Sequence, residues 1–122
     1  MPPGNWIGQP MKTILDLKNT DLRRAVQNVK REAQAIAGGV KVFVFGSYAR
    51  GDEREDSDVD IMIVLPDERS DFATEDRIRD MAIETGLEND FLFSVIIVSE
   101  SQMIRFRGFK VFGAVEDEGV PV

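Results

Sequence analysis

The chain has no cysteine and no histidine, and only one tryptophan and one tyrosine in 122 residues. Without cysteine there is no disulfide, no thiolate metal site and no cysteine nucleophile, a composition that fits a reducing, cytoplasmic setting. Without histidine there is no imidazole general base and no histidine zinc ligand, which leaves carboxylates as the available catalytic groups. Positive charge is also scarce. The chain carries 15 Lys and Arg against 22 Asp and Glu, a net charge of -7 with no dense basic face, which argues against nucleic acid as a direct partner. No apolar run reaches the length of a membrane span, and Met1-Pro2-Pro3-Gly4-Asn5 lacks the charged and apolar regions of a signal peptide. The expectation is a soluble cytoplasmic protein with no membrane contact.

Residues 1–12 hold three prolines and two glycines and read as a flexible arm, with residues 13–122 forming one domain. Trp6 and Ile7 are the apolar exception in that arm, packing on the domain itself or anchoring a partner. Met11 is an alternative start. A helix is expected over about Asp21 to Ala37, because Leu22, Val26, Val29, Ala33 and Ile36 recur on one face. Asn19 or Thr20 caps it, and Gly38-Gly39 ends it in a left-handed conformation. Val40 to Phe45 and Asp58 or Val59 to Leu65 are nearly unbroken apolar runs, the pattern of strands covered on both faces. Ser70 or Asp71 caps a helix to about Thr85, with Phe72, Ile78, Met81 and Ala82 inward and Gly86 as its stop. A third strand follows from Phe91 to Val98. Ser99-Glu100-Ser101-Gln102 is a capping box that starts another helix near Glu100. Gly108 interrupts, a last helix runs from about Phe109 to Glu118, and Gly119 with Pro121 ends it. The alternation describes an α/β (α+β) domain, a small sheet of three or more strands flanked by helices in the order α-β-(α)-β-α-β-α.

Chemistry is concentrated between Val42 and Val64. Asp58 and Asp60 lie two apart on a strand, so their side chains leave the same face with α-carbons about 6–7 Å apart. Two such carboxylates repel unless a cation sits between them, and a hard divalent ion such as magnesium is the natural occupant. Gly46 and Ser47 directly follow the preceding strand. Backbone amides there, with the Ser47 hydroxyl and a short helical turn from Ser47 to Arg50, can hold phosphate oxygens. Arg50 either steadies a phosphate or pairs with the acidic loop from Asp52 to Asp56. Tyr48 reads as packing, and Ser57 as a residue that orders the loop by hydrogen bonding to backbone.

The apolar strand ending in Gly46-Ser47, ten intervening residues and then Asp58-Val59-Asp60 resembles the nucleotidyltransferase signature of the DNA polymerase beta-like superfamily. The fuller string, GSYARG, five residues and SDVDI, is similar to the minimal nucleotidyltransferases often paired with HEPN-domain toxins. The resemblance implies a mixed sheet and a metal-dependent transfer of a nucleoside monophosphate. The donor would be ATP or another nucleoside triphosphate, most simply giving AMP, and the acceptor a hydroxyl on a HEPN-domain partner, such as a tyrosine, with this chain as the antitoxin. It assigns Asp58 and Asp60 to Mg2+ (or Mn2+), and Gly46, Ser47 and Arg50 to the nucleotide. Active members carry a third carboxylate on the next long strand, where this chain has Leu92. Strand parity places Asp90 on the face of Leu92 and Ser94, as the nearest substitute for the catalytic acid, while the alternative and favoured reading of Asn89-Asp90 is an ordinary turn. Proton removal then falls to Asp90, a water or a partner residue. The alternative is a nucleotidyltransferase-fold binding module with little or no turnover that neutralises its partner by contact. A homo-oligomer and a lone subunit of an aminoglycoside- or nucleic-acid-modifying enzyme also stay open.

Overall fold

The computed structural model describes residues 12–122, so Trp6, Ile7 and Met11 lie outside the described residues. A 3₁₀ turn at Ile14–Asp16 leads into α1 (Thr20–Ala37), followed by β1 (Lys41–Phe45), the single turn α2 (Ser47–Arg50) and β2 (Val59–Leu65). Then come a 3₁₀ turn at Asp67–Arg69, α3 (Phe72–Glu88), β3 (Phe93–Ser99), α4 (Glu100–Arg105), α5 (Lys110–Glu118) and a two-residue β4 (Val120–Pro121). The four strands form one sheet in the order β3-β2-β1-β4. β1 is antiparallel to both β2 and β4, and β2 is parallel to β3, so the sheet is mixed.

The register follows from burial on both faces. Val42, Val44, Val59, Ile61, Ile63, Leu65, Phe93 and Ile97 project to one side, where Leu22, Val26, Val29 and Ala33 of α1 and Ile78 and Ala82 of α3 cover them. Phe43, Phe45, Met62, Val64 and Val98 project to the other and meet Met103 of α4 and Phe112 and Val115 of α5. Slipping a strand by one residue would exchange the two sets, so the pairing is strongly specified. Within β2 every residue is buried except Asp60, which sits on the α5 side opposite Phe45 of β1 and Ser94 of β3.

Most of the expected local signals are in place. The Asn19 side chain caps α1, Asp71 caps α3, and Ser99 with Gln102 forms the capping box of α4. Gly38 and Gly39 both have positive φ, 70° and 60°, though Gly38 at ψ 153° is extended and not in the left-handed helical conformation. The α3–β3 junction departs from expectation. Gly86 lies inside α3 and does not end it; the helix continues to Glu88, and the left-handed position after it is filled by Asp90 at φ 65°. The Phe91 amide donates to the Gly86 carbonyl and the Asp90 amide to Leu87, the paired hydrogen bonds of a Schellman motif. β3 therefore begins only at Phe93, and the strand parity expected for Asp90 does not reach it. Phe72, expected inward, is 83% exposed because it opens the first turn of α3 before the helix reaches the sheet. Pro121, expected only to end a helix, instead forms with Val120 an edge strand on β1.

Glycine in mid-helix ordinarily costs stability relative to alanine, but a β-carbon at Gly86 would lie 2.9 Å from the Phe91 carbonyl oxygen and from the Phe93 ring. Gly86→Ala should therefore destabilise the protein by about 1–3 kcal/mol, seen as a lower urea midpoint at unchanged slope. A raised midpoint would show that the helix propensity gain wins.

Candidate functional site

The candidate site forms where β1 and β2 end side by side. Gly46 leaves β1 with φ 75° and ψ -156°, a region essentially reserved for glycine, and serves as the cap of α2 without a side chain to occupy its amides. The same glycine lies hard against β2. A β-carbon there would fall 2.2 Å from Asp60 Oδ2, so the missing side chain is what lets the loop and the carboxylate share this space. Asp58, just before β2, is exposed, and Asp60 is half-buried. Burial raises the Asp60 pKa above its ordinary value, and the neighbouring charges of Asp58 and Glu118 push it further, against a smaller opposing pull from Arg50. Among the described residues no hydrogen bond is recorded that would hold Asp60 ionised.

A carboxylate pair of this kind suits a hard divalent cation that draws its remaining ligands from phosphates and water. A complete protein cage is not offered, since no group of three or more acids close enough to hold a metal occurs among the described residues.

Arg50 is held on two sides. Its Nε donates to Asp52 at 3.2 Å, the acidic-loop pairing expected as one of two alternatives, and its Nη1 donates to both carboxylate oxygens of Glu118 at 3.0 Å. Glu118 also accepts the Gly46 amide at 3.2 Å. This residue, at the end of α5 and 68 positions from Arg50, was not singled out from sequence, and no local pattern marks it. Ser57 Oγ accepts the Arg54 amide at 2.8 Å and closes the loop as expected. Tyr48 packs edge-on to Phe91 with ring centroids 6.1 Å apart, and burial raises its hydroxyl pKa. A cavity of about 170 Å³ lies on the flank of α2 that faces the start of α1, lined by Asp16, Leu17, Lys18, Tyr48 and Arg50 among others, and touches neither Asp58 nor Asp60. Leu92 precedes β3, its carbonyl accepting the Val59 amide at 2.9 Å, and its side chain is 55% exposed. Ser94 is paired with Asp60 across the strands, so the β3 side of the carboxylates is a leucine and a serine with no acid in β3 itself.

The profile of the nucleotidyltransferase domain matches residues 22–117. The chain belongs to this family. Among curated relatives from Methanocaldococcus jannaschii, the candidate protein adenylyltransferase MJ1215 is 29% identical over 76% of this chain and 95% of its own length. A second, MJ0141, is 37% identical over 67% of this chain and 77% of its own. A crystal structure of a candidate nucleotidyltransferase from Sulfolobus solfataricus shares the fold, with TM-score 0.55 and 19% identity over 93% of this chain and 88% of that one. The protein is thus a minimal nucleotidyltransferase, with nucleotidyl transfer as its class of chemistry.

Two measurements probe the geometry of this nucleotidyltransferase. Gly51 is also left-handed, at φ 82°, but a β-carbon there meets nothing within 4 Å. Gly51→Ala should cost only backbone strain, about 1–2 kcal/mol, while Gly46→Ala should cost more by roughly another 1–3 kcal/mol because Asp60 must move. Equal costs in denaturant melts would mean that the close approach is not maintained. Asp60 gives a pH signature. Its folded-state pKa lies above the unfolded value, so its charge costs stability at neutral pH, and the cost is relieved as pH falls through the raised pKa toward the ordinary value. Asp60→Asn should raise the Tm of the metal-free protein at neutral pH, with the gain shrinking in acid. A Tm that is lower at neutral pH would contradict this origin of the shift.

Proposed function

We propose that this nucleotidyltransferase moves AMP from ATP to a hydroxyl on a protein partner. The observation that carries the reading is the contact of Gly46 with Asp60, which sets backbone amides beside a carboxylate pair. Relatives named as protein adenylyltransferases support a protein acceptor. In this reading Asp58 and Asp60 hold Mg2+ or Mn2+, and Gly46, Ser47 and Arg50 hold the β- and γ-phosphates. The bound ion supplies neutralisation of the phosphate charge as it develops. Gly46 and Ser47 fix the triphosphate so that the acceptor oxygen faces the α-phosphorus. A new oxygen–phosphorus bond forms, the bond to the bridging oxygen breaks, and pyrophosphate leaves. Asp90 is not assigned the proton, since its left-handed turn takes it out of β3; a water or a group on the partner accepts it from the hydroxyl.

The partner in this reading is a HEPN-domain protein in the cytoplasm, modified on a hydroxyl such as tyrosine, with this chain as its antitoxin. A second reading is favoured by Leu92, exposed where active relatives of this superfamily would place an acid: neutralisation by contact with little turnover. Incubation of the pair with magnesium and ATP labelled at the α-phosphate separates the two. Label should appear on the partner, label at the γ-phosphate should not, and Asp58→Ala with Asp60→Ala should reduce transfer by about 10²-fold or more. Transfer that survives the double substitution would overturn the site. Absence of transfer with neutralisation intact in both proteins would establish the contact reading.

A further inference from the structure

The phosphate-holding groups of the proposed site are already engaged. The Gly46 amide donates to Glu118 Oε1 at 3.2 Å, and Arg50 Nη1 donates to both oxygens of the same carboxylate at 3.0 Å. The Glu118 side chain is only 18% exposed, so it is packed into the site and not lying over it. We propose that Glu118 is an internal competitor for the triphosphate, its carboxylate held by Gly46 and Arg50 where phosphate oxygens dock, so that nucleotide binds only as Glu118 leaves. The inference rests on the phosphate role given to Gly46 and Arg50 above.

Occupancy is exclusive for two reasons. The Gly46 amide has one hydrogen, and it cannot serve a carboxylate and a phosphate oxygen at full strength together. Charge adds to this. Arg50 is paired with both Asp52 and Glu118, and Glu118 already acts on Asp60 as a like charge. A triphosphate entering beside that mostly buried carboxylate meets repulsion, which solvent screens in part on the exposed Arg50 side.

The backbone under Glu118 is fixed while the side chain is long enough to swing away. The Gly119 amide closes α5 on the Val115 carbonyl at 2.9 Å. A β-carbon at Gly119 would fall 2.4 Å from that carbonyl oxygen, so the turn is tight. Lys12 Nζ donates to the Glu118 carbonyl at 3.4 Å, and Val120 and Pro121 pair with β1. Release is therefore a rotamer change of one side chain with the helix left in place. Its effect follows from population: if the open cradle is about a tenth of the molecules, apparent affinity is lowered about tenfold.

A prop that merely held Arg50 in position would act with the opposite sign, because its removal would weaken binding. Calorimetric titration with inorganic tripolyphosphate and with ATP, both with magnesium, distinguishes the two on wild type, Glu118→Gln and Glu118→Ala. Glu118→Ala should bind both ligands about tenfold more tightly than wild type, and Glu118→Gln, which loses the charge but keeps one acceptor oxygen, more tightly by a smaller factor, with adenosine unaffected. Glu118→Gln keeps the shape and one acceptor oxygen, so it carries the test if Glu118→Ala melts early. Equal or weaker binding by a folded Glu118→Gln overturns the competitor and leaves the phosphate site standing. Failure of wild type and variants alike to bind either ligand overturns the phosphate site, and the competitor with it.

Discussion

The structure depends on the approach of Gly46 to Asp60. A strand that ends in an ordinary residue could not turn into α2 at this point, because a β-carbon would lie 2.2 Å from a carboxylate oxygen. The conformation that permits the turn is one that glycine alone adopts readily. Both constraints hold only in the observed register. Phe45 opposes Asp60 because Val44 opposes Ile61 and Phe43 opposes Met62, and those pairs are fixed by a hydrophobic layer on each face of the sheet. Shifting the pairing by one residue would drive Asp60 into the layer beneath α1 and α3. The core thus places the loop, and the loop leaves the carboxylate with little room to move.

Holding that carboxylate there has a cost, visible in the raised Asp60 pKa. Burial disfavours its charge, and two acids nearby disfavour it more, in a chain whose net charge is already -7. Nothing local offsets this fully, since Arg50 is directed to Glu118 and Asp52. Stability comes from elsewhere in the fold. All of β2 apart from Asp60 is buried, and α1 lays a continuous apolar face over it. A well-packed core that carries a poorly compensated acid at its edge is the pattern expected of a site that receives a cation or substrate.

What could be seen in the sequence was local. The caps at Asn19, Asp71 and Ser99 are short-range hydrogen bonds written in three or four residues, and each forms as expected. The strand faces followed from continuous apolar runs, and the GSYARG and SDVDI segments lie together as their spacing required. The misses have tertiary causes. Gly86 looks like a helix stop, yet it is a contact point where α3 presses on Phe91 and Phe93. β4 is two residues long and exists only because β1 has an unpaired edge. Glu118 reaches Arg50 across 68 residues, a distance no periodicity or cap records.

The α3–β3 junction decides where negative charge can enter the site. The Schellman motif uses Asp90 as its left-handed residue and ties Phe91 back to Gly86, so the chain does not extend until Leu92 and Phe93. By then the positions beside Asp58 and Asp60 are taken by Leu92 and Ser94. In the sheet order β3-β2-β1-β4 the strand on that flank of the aspartates, Phe93 to Ser99, therefore brings no acid of its own. The further acid that acts on Asp60, Glu118, comes from the end of α5 and contacts Gly46 and Arg50 on the β1 flank. The two flanks are not chemically equivalent. An acid on the β3 side could take a proton from an acceptor, whereas one on the β1 side meets the groups suited to phosphate. In the proposed reading, Glu118 contests the phosphate cradle from the β1 side, and the proton acceptor comes from whatever docks against Leu92.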